Sequence, residues 1–163
     1  MPYIPHLNTI LLQIPKSGSS SLVKAASMLG PMTHIGHLRA SAYGIPASRI
    51  IAVVRDPVSR LVSALNYYYT PQPVDDMLRH VLKYRIGQVA FKPQEWFMDI
   101  PCDVYPIERM SDALASIGYF GDVPKENVSI KWVCREELEC SKYWALLLNW
   151  RGCGIYYTIP ANP

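Results

Sequence analysis

Two apolar runs, each followed by a polar turn and a helical pattern, are the clearest feature of the chain. The first run covers residues 10–14 and is interrupted only by Gln13, and the second covers residues 50–54 without a break. Such runs, bounded by polar residues, are typical of buried strands in a parallel sheet, and they predict strands over 9–14 and 49–54. Residues 19–29 and 57–69 then carry helical spacing, and Asp56-Pro57 supplies a favourable helix N-cap and first helical residue. The pattern therefore predicts two strand–helix units.

The remaining pattern extends this arrangement along the chain. It predicts a loop through residue 48, a helix over 73–86, an irregular aromatic segment over 87–102, a strand over 103–107, a short helix over 111–117, a strand over 128–133 and a helix over 136–150. Alternating strands and helices favour an α/β fold with three layers, in which helices flank a mainly parallel central sheet. A length of 163 residues without a linker or a repeat predicts a single domain over 1–163.

Composition excludes several classes of protein. Hydrophobic residues make up 50% of the chain, which argues against intrinsic disorder. The net charge of +3 is too mild to indicate nucleic acid as a partner. No apolar stretch approaches the roughly 20 residues that span a bilayer, and the N-terminus does not resemble a signal peptide. We therefore expect a cytoplasmic protein that has no membrane partner.

The cysteines give no reason to expect a metal. Cys102, Cys134, Cys140 and Cys153 form no C-x-x-C pair, and no histidine lies near them at zinc-ligand spacing. His34 and His37 lie three residues apart, but no third metal ligand is evident at a suggestive spacing from them. We expect free thiols and no bound metal ion.

Candidate chemistry begins at the turn after the first apolar run, which reads Pro15, Lys16, Ser17, Gly18, Ser19, Ser20 and Ser21. A strand, a short Gly/Ser turn and a helix direct several backbone N–H groups and a helix N-terminus toward one anion. The lysine precedes the glycine, so the segment does not match the nucleotide-binding Walker pattern. The alternative interpretation is a serine-rich turn that only caps a helix.

The second apolar run ends in another group of candidates. Arg55 follows the predicted strand at its carboxyl end, where open α/β sheets bind their ligands. Ser63 lies two turns along the next helix. The alternative interpretation is an ion pair between Arg55 and Asp56 at a strand end, with Ser63 as a small packing residue.

Together these segments resemble the two cofactor loops of sulfotransferases that use 3′-phosphoadenosine 5′-phosphosulfate (PAPS). The first resembles P-K-(S/T)-G-(S/T)-(S/T)-(S/T)-L, and the second resembles V-R-D-P-x-x-R-x-x-S-x-x-x-Y-Y, with the same eight-residue step from Arg55 to Ser63. Residues 104–110 and 123–129 resemble segments of carbohydrate sulfotransferases related to heparan sulfate 2-O-sulfotransferase. The resemblance covers roughly residues 9–130.

The resemblance implies a P-loop-like sulfotransferase fold, with PAPS as co-substrate and no metal. It assigns residues 15–21 to the 5′-phosphosulfate, and Arg55 and Ser63 to the 3′-phosphate. The reaction would transfer a sulfuryl group to a hydroxyl of a carbohydrate-like acceptor, either a small molecule or a glycan. Negative charge builds on the departing oxygen in such a transfer, and Lys16 is the cation placed to stabilise it.

The attacking hydroxyl needs a general base, for which histidine is the commonest choice. Gly36-His37 resembles the pair that carries the catalytic histidine in the heparan sulfate 2-O branch. His34 is the second candidate, and Glu95 is the next residue to consider. Both histidines could instead be exposed loop residues.

Two other functions remain open at this point. One is a catalytically silent module that binds PAPS or its product, 3′,5′-ADP. The other is a nucleotide-dependent phosphotransferase that uses Lys16 and Asp56. The interval between Lys16 and Arg55 is shorter than in most members of the family, so neither the acceptor nor the oligomeric state follows from the sequence.

Overall fold

The computed structural model describes residues 2–34, 36–85, 87–125 and 132–149. Within these ranges the chain forms five β-strands, Pro2–Ile4 (β1), Thr9–Leu12 (β2), Thr33–His34 (β3), Arg49–Val54 (β4) and Asp103–Pro106 (β5). The α-helices of the same ranges are Ser19–Ala26 (α1), Pro57–Tyr68 (α2), Val74–His80 (α3), Met110–Ala115 (α4), Arg135–Glu139 (α5) and Trp144–Asn149 (α6). The fold is therefore α/β, in agreement with the prediction at that level.

The strands form one sheet in the order β3-β1-β2-β4-β5. The β2–β4 and β4–β5 pairs are parallel, with Leu11 opposite Ile51 and Val53 opposite Tyr105. The β1–β2 and β1–β3 pairs are antiparallel. The sheet is thus mixed, and the prediction of a mainly parallel sheet is correct only for its β2-β4-β5 part.

The antiparallel part was missed because its strands carry too little pattern. β1 has three residues and β3 has two, which is too short for alternation to be visible. A 3₁₀ turn over Pro5–Leu7 and a left-handed residue, Asn8 (φ 46°), return the chain from β1 to β2. β3 and a 3₁₀ turn over Ala40–Tyr43 lie within the stretch for which the pattern predicted only a loop.

The chain divides into two compact units. The first comprises Met1–Arg55 and Gln94–Val128, and the second comprises Asp56–Pro93 and Ser129–Pro163. Each unit has its own core cluster. The expectation of a single domain stays a prediction. No helix in the described ranges is both long enough and apolar enough to cross a membrane.

The first unit contains the whole sheet. Its core cluster is Ile4, Leu11, Leu22, Ala25, Ala26, Ile51, Val53, Met110, Ala113, Leu114 and Ile117, drawn from the sheet, α1 and the region of α4. The strand residues that alternate with these, Ile10, Leu12, Ala52 and Val54, are also buried. Because successive side chains point to opposite faces, both faces of β2 and of the later part of β4 are buried, which explains why apolar residues follow one another there.

The second unit is helical. Its core cluster is Val58, Leu61, Ala64, Leu65, Met77, Leu78, Val81, Ala90, Phe91, Val133 and Leu138. Asp56 caps α2 by accepting a hydrogen bond from the Ser59 amide (2.8 Å). Asn66 is buried within the unit, and its side-chain amide both donates to the Val133 carbonyl and accepts from the Val133 amide, each at 2.9 Å.

Two helices of this unit differ from the predicted ones. The predicted helix over 73–86 is α3 followed by a π-helical turn over Val81–Arg85. The predicted helix over 136–150 is split into α5 and α6, with Ser141 between them. The Ser141 hydroxyl accepts a hydrogen bond from the Tyr143 amide and donates one to Asp75, a local alternative to helical bonding. The predicted strand over 128–133 lies outside the described residues as far as 131.

Candidate functional site

The turn between β2 and α1 has an unusual backbone. Residues 15–18 form the turn, and two of them have positive φ: Lys16 at 65° and Gly18 at 79°. A positive φ is uncommon for any residue other than glycine, and it is found at sites where the surrounding structure imposes it. The buried hydroxyl of Ser17 donates a hydrogen bond across the turn to the Ile14 carbonyl (2.7 Å). Ser17 therefore stabilises the turn that the sequence assigned to anion binding.

Gly18 is required at its position for two reasons. Its φ lies in the left-handed region, and a Cβ atom there would lie 2.5 Å from Met110 Cε and 3.1 Å from Ile107 Cδ1. Gly18 is also the N-cap of α1, where no side chain caps the helix. Because the N-cap residue of α1 has no side chain, no N-cap side chain covers this helix end, and helix N-termini favour the binding of anions.

The serines at the start of α1 differ in their exposure. Ser19 and Ser21 are buried, whereas Ser20 is half-buried. Pro15, at the start of the turn, is buried. The structure therefore brings the whole predicted segment, residues 15–21, into one turn and the first turn of one helix.

Lys16 and Arg55 meet at the carboxyl ends of neighbouring parallel strands. Nη1 of Arg55 lies 3.5 Å from the Lys16 carbonyl oxygen. Partial burial lowers the pKa of Lys16, and the positive charge of Arg55 lowers it further. In the part of the chain that the structure describes, Arg55 forms no ion pair with a carboxylate. Arg55 is thus near enough for its charge to act on the Lys16 amine, and two positive charges in one region favour the binding of an anion.

The backbone of Arg55 is held by Gln94, a residue that the sequence analysis did not select. Gln94 is 1% exposed. Its Oε1 accepts a hydrogen bond from the Arg55 amide (2.9 Å), and its Nε2 donates one to the Arg55 carbonyl (2.8 Å). No sequence signal could have identified it, because it lies in an aromatic segment that has neither strand nor helix periodicity.

His37 lies beside the start of the phosphate turn. Its Nδ1 is 2.8 Å from the carbonyl oxygen of Gln13, which follows β2 directly. Because a carbonyl only accepts, Nδ1 carries the proton of the neutral ring, and Nε2 is left with the lone pair. The side chain is exposed. This tautomer leaves Nε2 able to accept a proton.

The other two candidates for a base lie elsewhere in the first unit. His34 pairs through its backbone with Pro2, in a strand two positions away from β2 in the sheet. Glu95 is exposed in a 3₁₀ turn over Gln94–Trp96. His37 is thus the candidate that has a described contact with the residues leading into the turn.

The candidates of the second motif belong to the second unit from Asp56 onward. Ser63 is half-buried on α2. Arg60 is 4% exposed and donates to the carbonyls of Lys92 (2.8 Å) and Ala90 (3.1 Å), so this arginine of the motif is structural. The Asp56 carboxylate forms an ion pair with Arg135 (3.2 Å) in addition to capping α2.

Metal and thiol chemistry receive little support. Within the described ranges, no group of three or more His, Cys, Asp or Glu side chains could hold a metal ion. Cys102, Cys134 and Cys140 are free thiols, and burial raises the pKa of Cys102 to about 11. A thiol with so high a pKa is a poor nucleophile at neutral pH. Cys153 lies outside the described residues.

Three features therefore lie in one region of the first unit: the N-terminus of α1 with its glycine N-cap, the turn that contains Lys16, and the guanidinium of Arg55. These are the groups that bind phosphate and sulfate esters. In comparisons with protein-family models, with curated proteins and with solved structures, the chain finds no match.

Proposed function

We propose that this protein is a sulfotransferase that moves a sulfuryl group from PAPS to a hydroxyl of a carbohydrate-like acceptor. The observation that carries the proposal is the meeting of Lys16, in the turn before α1, with Arg55, at the end of β4. The sequence motifs on which the resemblance rests require a lysine and an arginine in these two loops. The contact of the Arg55 guanidinium with the Lys16 carbonyl supports the proposal that the two residues serve one ligand.

The cofactor would bind through its two anionic ends. The turn over residues 15–18 and the N-terminus of α1 would hold the 5′-phosphosulfate, and Arg55 would contact the 3′-phosphate. The resemblance adds Ser63 as a second ligand of the 3′-phosphate, and this assignment stays a prediction. The expectation of the wider P-loop-like sulfotransferase fold also belongs to the proposal.

The chemistry would use two residues of the first unit. The acceptor oxygen would attack sulfur, the bond from sulfur to the bridging oxygen would break, and 3′,5′-ADP would leave with that oxygen on its 5′-phosphate. Lys16 would stabilise the charge that develops on the departing oxygen. His37 would accept the proton of the attacking hydroxyl at Nε2, since its hydrogen bond to Gln13 keeps the proton on Nδ1.

Ligand-dependent thermal stability tests the cofactor assignment. We expect 3′,5′-ADP to raise the melting temperature more than 5′-AMP does at the same concentration, because only the former carries the group that Arg55 would bind. The variant Arg55→Met should reduce the difference between the two nucleotides. Equal stabilisation by both nucleotides would contradict the proposal, and stabilisation by ATP only with Mg²⁺ would favour a phosphotransferase instead.

Radiolabelled sulfuryl transfer tests the activity itself. With ³⁵S-labelled PAPS, we expect label on at least one member of a panel of glycans, and none on small phenols. A protein that binds 3′,5′-ADP but labels no acceptor in the panel would be the catalytically silent module.

A further inference from the structure

We propose that Gln94 is a positioning residue that fixes Arg55 and thereby sets the preference for a nucleotide with a 3′-phosphate. The inference rests on the proposed function, because it assigns that phosphate to Arg55. Its physical basis is the pair of hydrogen bonds through which the Gln94 side chain holds both backbone groups of Arg55.

The Gln94 amide takes the place that a neighbouring strand would otherwise fill. β4 ends at Val54, which pairs with Pro106, the last residue of β5. The chain then turns at Ile107 into a 3₁₀ helix, so β5 does not continue alongside Arg55. A buried backbone donor and acceptor each need a partner. Gln94 supplies both, with N–O distances of 2.9 and 2.8 Å.

Holding both backbone groups of a residue restricts its φ and ψ, and therefore the direction in which its side chain leaves the backbone. Arg55 lies where the chain leaves the sheet, one residue before the cap of α2, and such a junction has several accessible backbone directions. A small rotation there would move a guanidinium several bonds away by more than a hydrogen bond tolerates. The position of Nη1 near the Lys16 carbonyl thus depends on the fixed backbone.

Gln94 is itself held in place. It lies in the 3₁₀ turn over Gln94–Trp96, and its carbonyl accepts a hydrogen bond from the Phe97 amide (3.0 Å). Phe97 is completely buried, and its carbonyl accepts from the Ala40 amide (2.7 Å). The backbone of Gln94 is therefore held through Phe97, while its side-chain amide is held by the two hydrogen bonds to Arg55.

The side chain must be a neutral amide. A carboxylate at this position could accept from the Arg55 amide but could not donate to the Arg55 carbonyl. It would also place a negative charge next to the cation that is assigned to the ligand. Methionine has a similar length and fills the same space, but it makes neither hydrogen bond.

The test is calorimetric titration of the full chain with 3′,5′-ADP and with 5′-AMP. We expect the ratio of the two affinities to fall by about tenfold or more in Gln94→Met, the size expected for the loss of one charge-assisted hydrogen bond. The affinity for 5′-AMP should stay near the wild-type value, because that nucleotide lacks the 3′-phosphate. If Gln94→Met does not fold, Gln94→Glu is the second variant: it has equal size, keeps the bond from the Arg55 amide, loses the bond to the Arg55 carbonyl and adds a negative charge, and we expect it to lower the ratio as well.

Asn66→Leu is the matched control. Asn66 is also a buried amide that holds backbone groups: it donates to the Val133 carbonyl and accepts from the Val133 amide, at 2.9 Å each, and it bonds the backbone of Val62 and Trp132 as well. We expect this variant to lose at least as much stability as Gln94→Met and to keep the wild-type ratio of affinities. A merely structural effect would lower the ratio in both variants or in neither.

The outcomes separate the two proposals. If the wild-type protein binds both nucleotides equally, the proposed function and the selectivity role of Gln94 both fail. If the wild-type protein prefers 3′,5′-ADP and Gln94→Met keeps that preference, only the inference about Gln94 is overturned. An equal loss of preference in Asn66→Leu would also overturn it.

Discussion

Lys16 combines an unfavourable backbone conformation with an unfavourable charge environment. A left-handed conformation costs a residue with a side chain roughly 1–2 kcal/mol, and Lys16 has a φ of 65°. The charge is also disfavoured, because burial and the nearby Arg55 both lower the pKa of the amine. Such features are enriched at functional sites, since the surrounding fold must offset them.

The lowered pKa of Lys16 predicts how ligand binding depends on pH. In the folded protein the Lys16 amine loses its proton at a lower pH than the ordinary lysine pKa of 10.5. The charged amine therefore destabilises the fold at pH values below the lowered pKa. This destabilisation disappears as the pH rises from the lowered pKa to the ordinary one. A bound anion favours the charged form. We therefore expect the affinity for 3′,5′-ADP to fall as pH rises through the lowered pKa, measured by titration calorimetry across alkaline buffers.

Lys16→Arg is the control for this pH dependence, because its guanidinium stays protonated throughout the range. Its affinity should stay nearly constant where that of the wild-type protein declines. The assignment to Lys16 is wrong if the two proteins lose affinity at the same pH.

His37 provides the prediction for the proton-transfer step. We expect His37→Ala to remove most sulfuryl transfer, by about 10²-fold or more, as for a lost general base. Binding of 3′,5′-ADP should be nearly unchanged, because the contact of His37 is with the Gln13 carbonyl. Transfer rates and nucleotide affinity are measured on the same preparation, and His34→Ala should have a milder effect. Wild-type turnover in His37→Ala would contradict the role of His37 as general base, and Glu95 would then be the next residue to test.

The sequence predicts the site residues only where a charged residue directly follows a recognisable strand of the parallel part of the sheet. Lys16 and Arg55 each follow an apolar run, and the carboxyl ends of adjacent parallel strands lie at the same edge of a sheet. Gln94 carries no such signal, because its partner is the backbone of a residue 39 positions away. Likewise, nothing in the sequence distinguishes the structural Arg60 from a ligand-binding arginine of the same motif.

At the scale of the element, the turn between β2 and α1 depends on Gly18. We expect Gly18→Ala to lower the free energy of unfolding more than Gly44→Ala does, as measured by chemical denaturation. Both glycines have positive φ, 79° and 58°, so both variants carry the roughly 1–2 kcal/mol cost of that conformation. Only at Gly18 would the new Cβ overlap a neighbour, Met110, and the overlap adds about 1 kcal/mol or more.

The Gly44→Ala control separates conformation from packing, since nothing lies within 4 Å of a Cβ at that position. Equal losses in the two variants would mean that Met110 moves aside at no cost. Gly18→Ala should also weaken 3′,5′-ADP binding, whereas Gly44→Ala should not.

β4 and α2 are elements whose bounds the pattern predicted well. β4 spans Arg49–Val54 as predicted, and α2 ends one residue before the predicted boundary. The split between α5 and α6 could not be foreseen, because it depends on hydrogen bonds of Ser141 to partners that include Asp75, 66 residues away. The pattern of apolar residues along the chain does not predict polar contacts between residues that are distant in sequence.

The two units have separate core clusters, and this predicts which part of the chain a core substitution destabilises. Leu78 and Leu114 are completely buried, one in each cluster. We expect each leucine-to-alanine change to destabilise its own unit by about 2–5 kcal/mol. Hydrogen exchange followed by mass spectrometry should show faster exchange in peptides from 57–85 for Leu78→Ala.

Leu114→Ala is the reciprocal variant, and it should act first on peptides from 9–26 and 103–117. Equal acceleration over the whole chain in both variants would show that the two units unfold together. That result would support the prediction of a single domain.

The positive φ of Lys16 predicts which residues a library of variants would retain at position 16 under different selections. Glycine and asparagine tolerate a φ of 65° better than lysine does, so a library selected only for folded protein should enrich them at this position. A library selected for capture on an immobilised 3′,5′-ADP should retain lysine. The two selections should diverge at position 16 and agree at position 18, where both demand glycine. Reading the two libraries side by side would separate what the fold requires from what the ligand requires at two neighbouring positions of one turn.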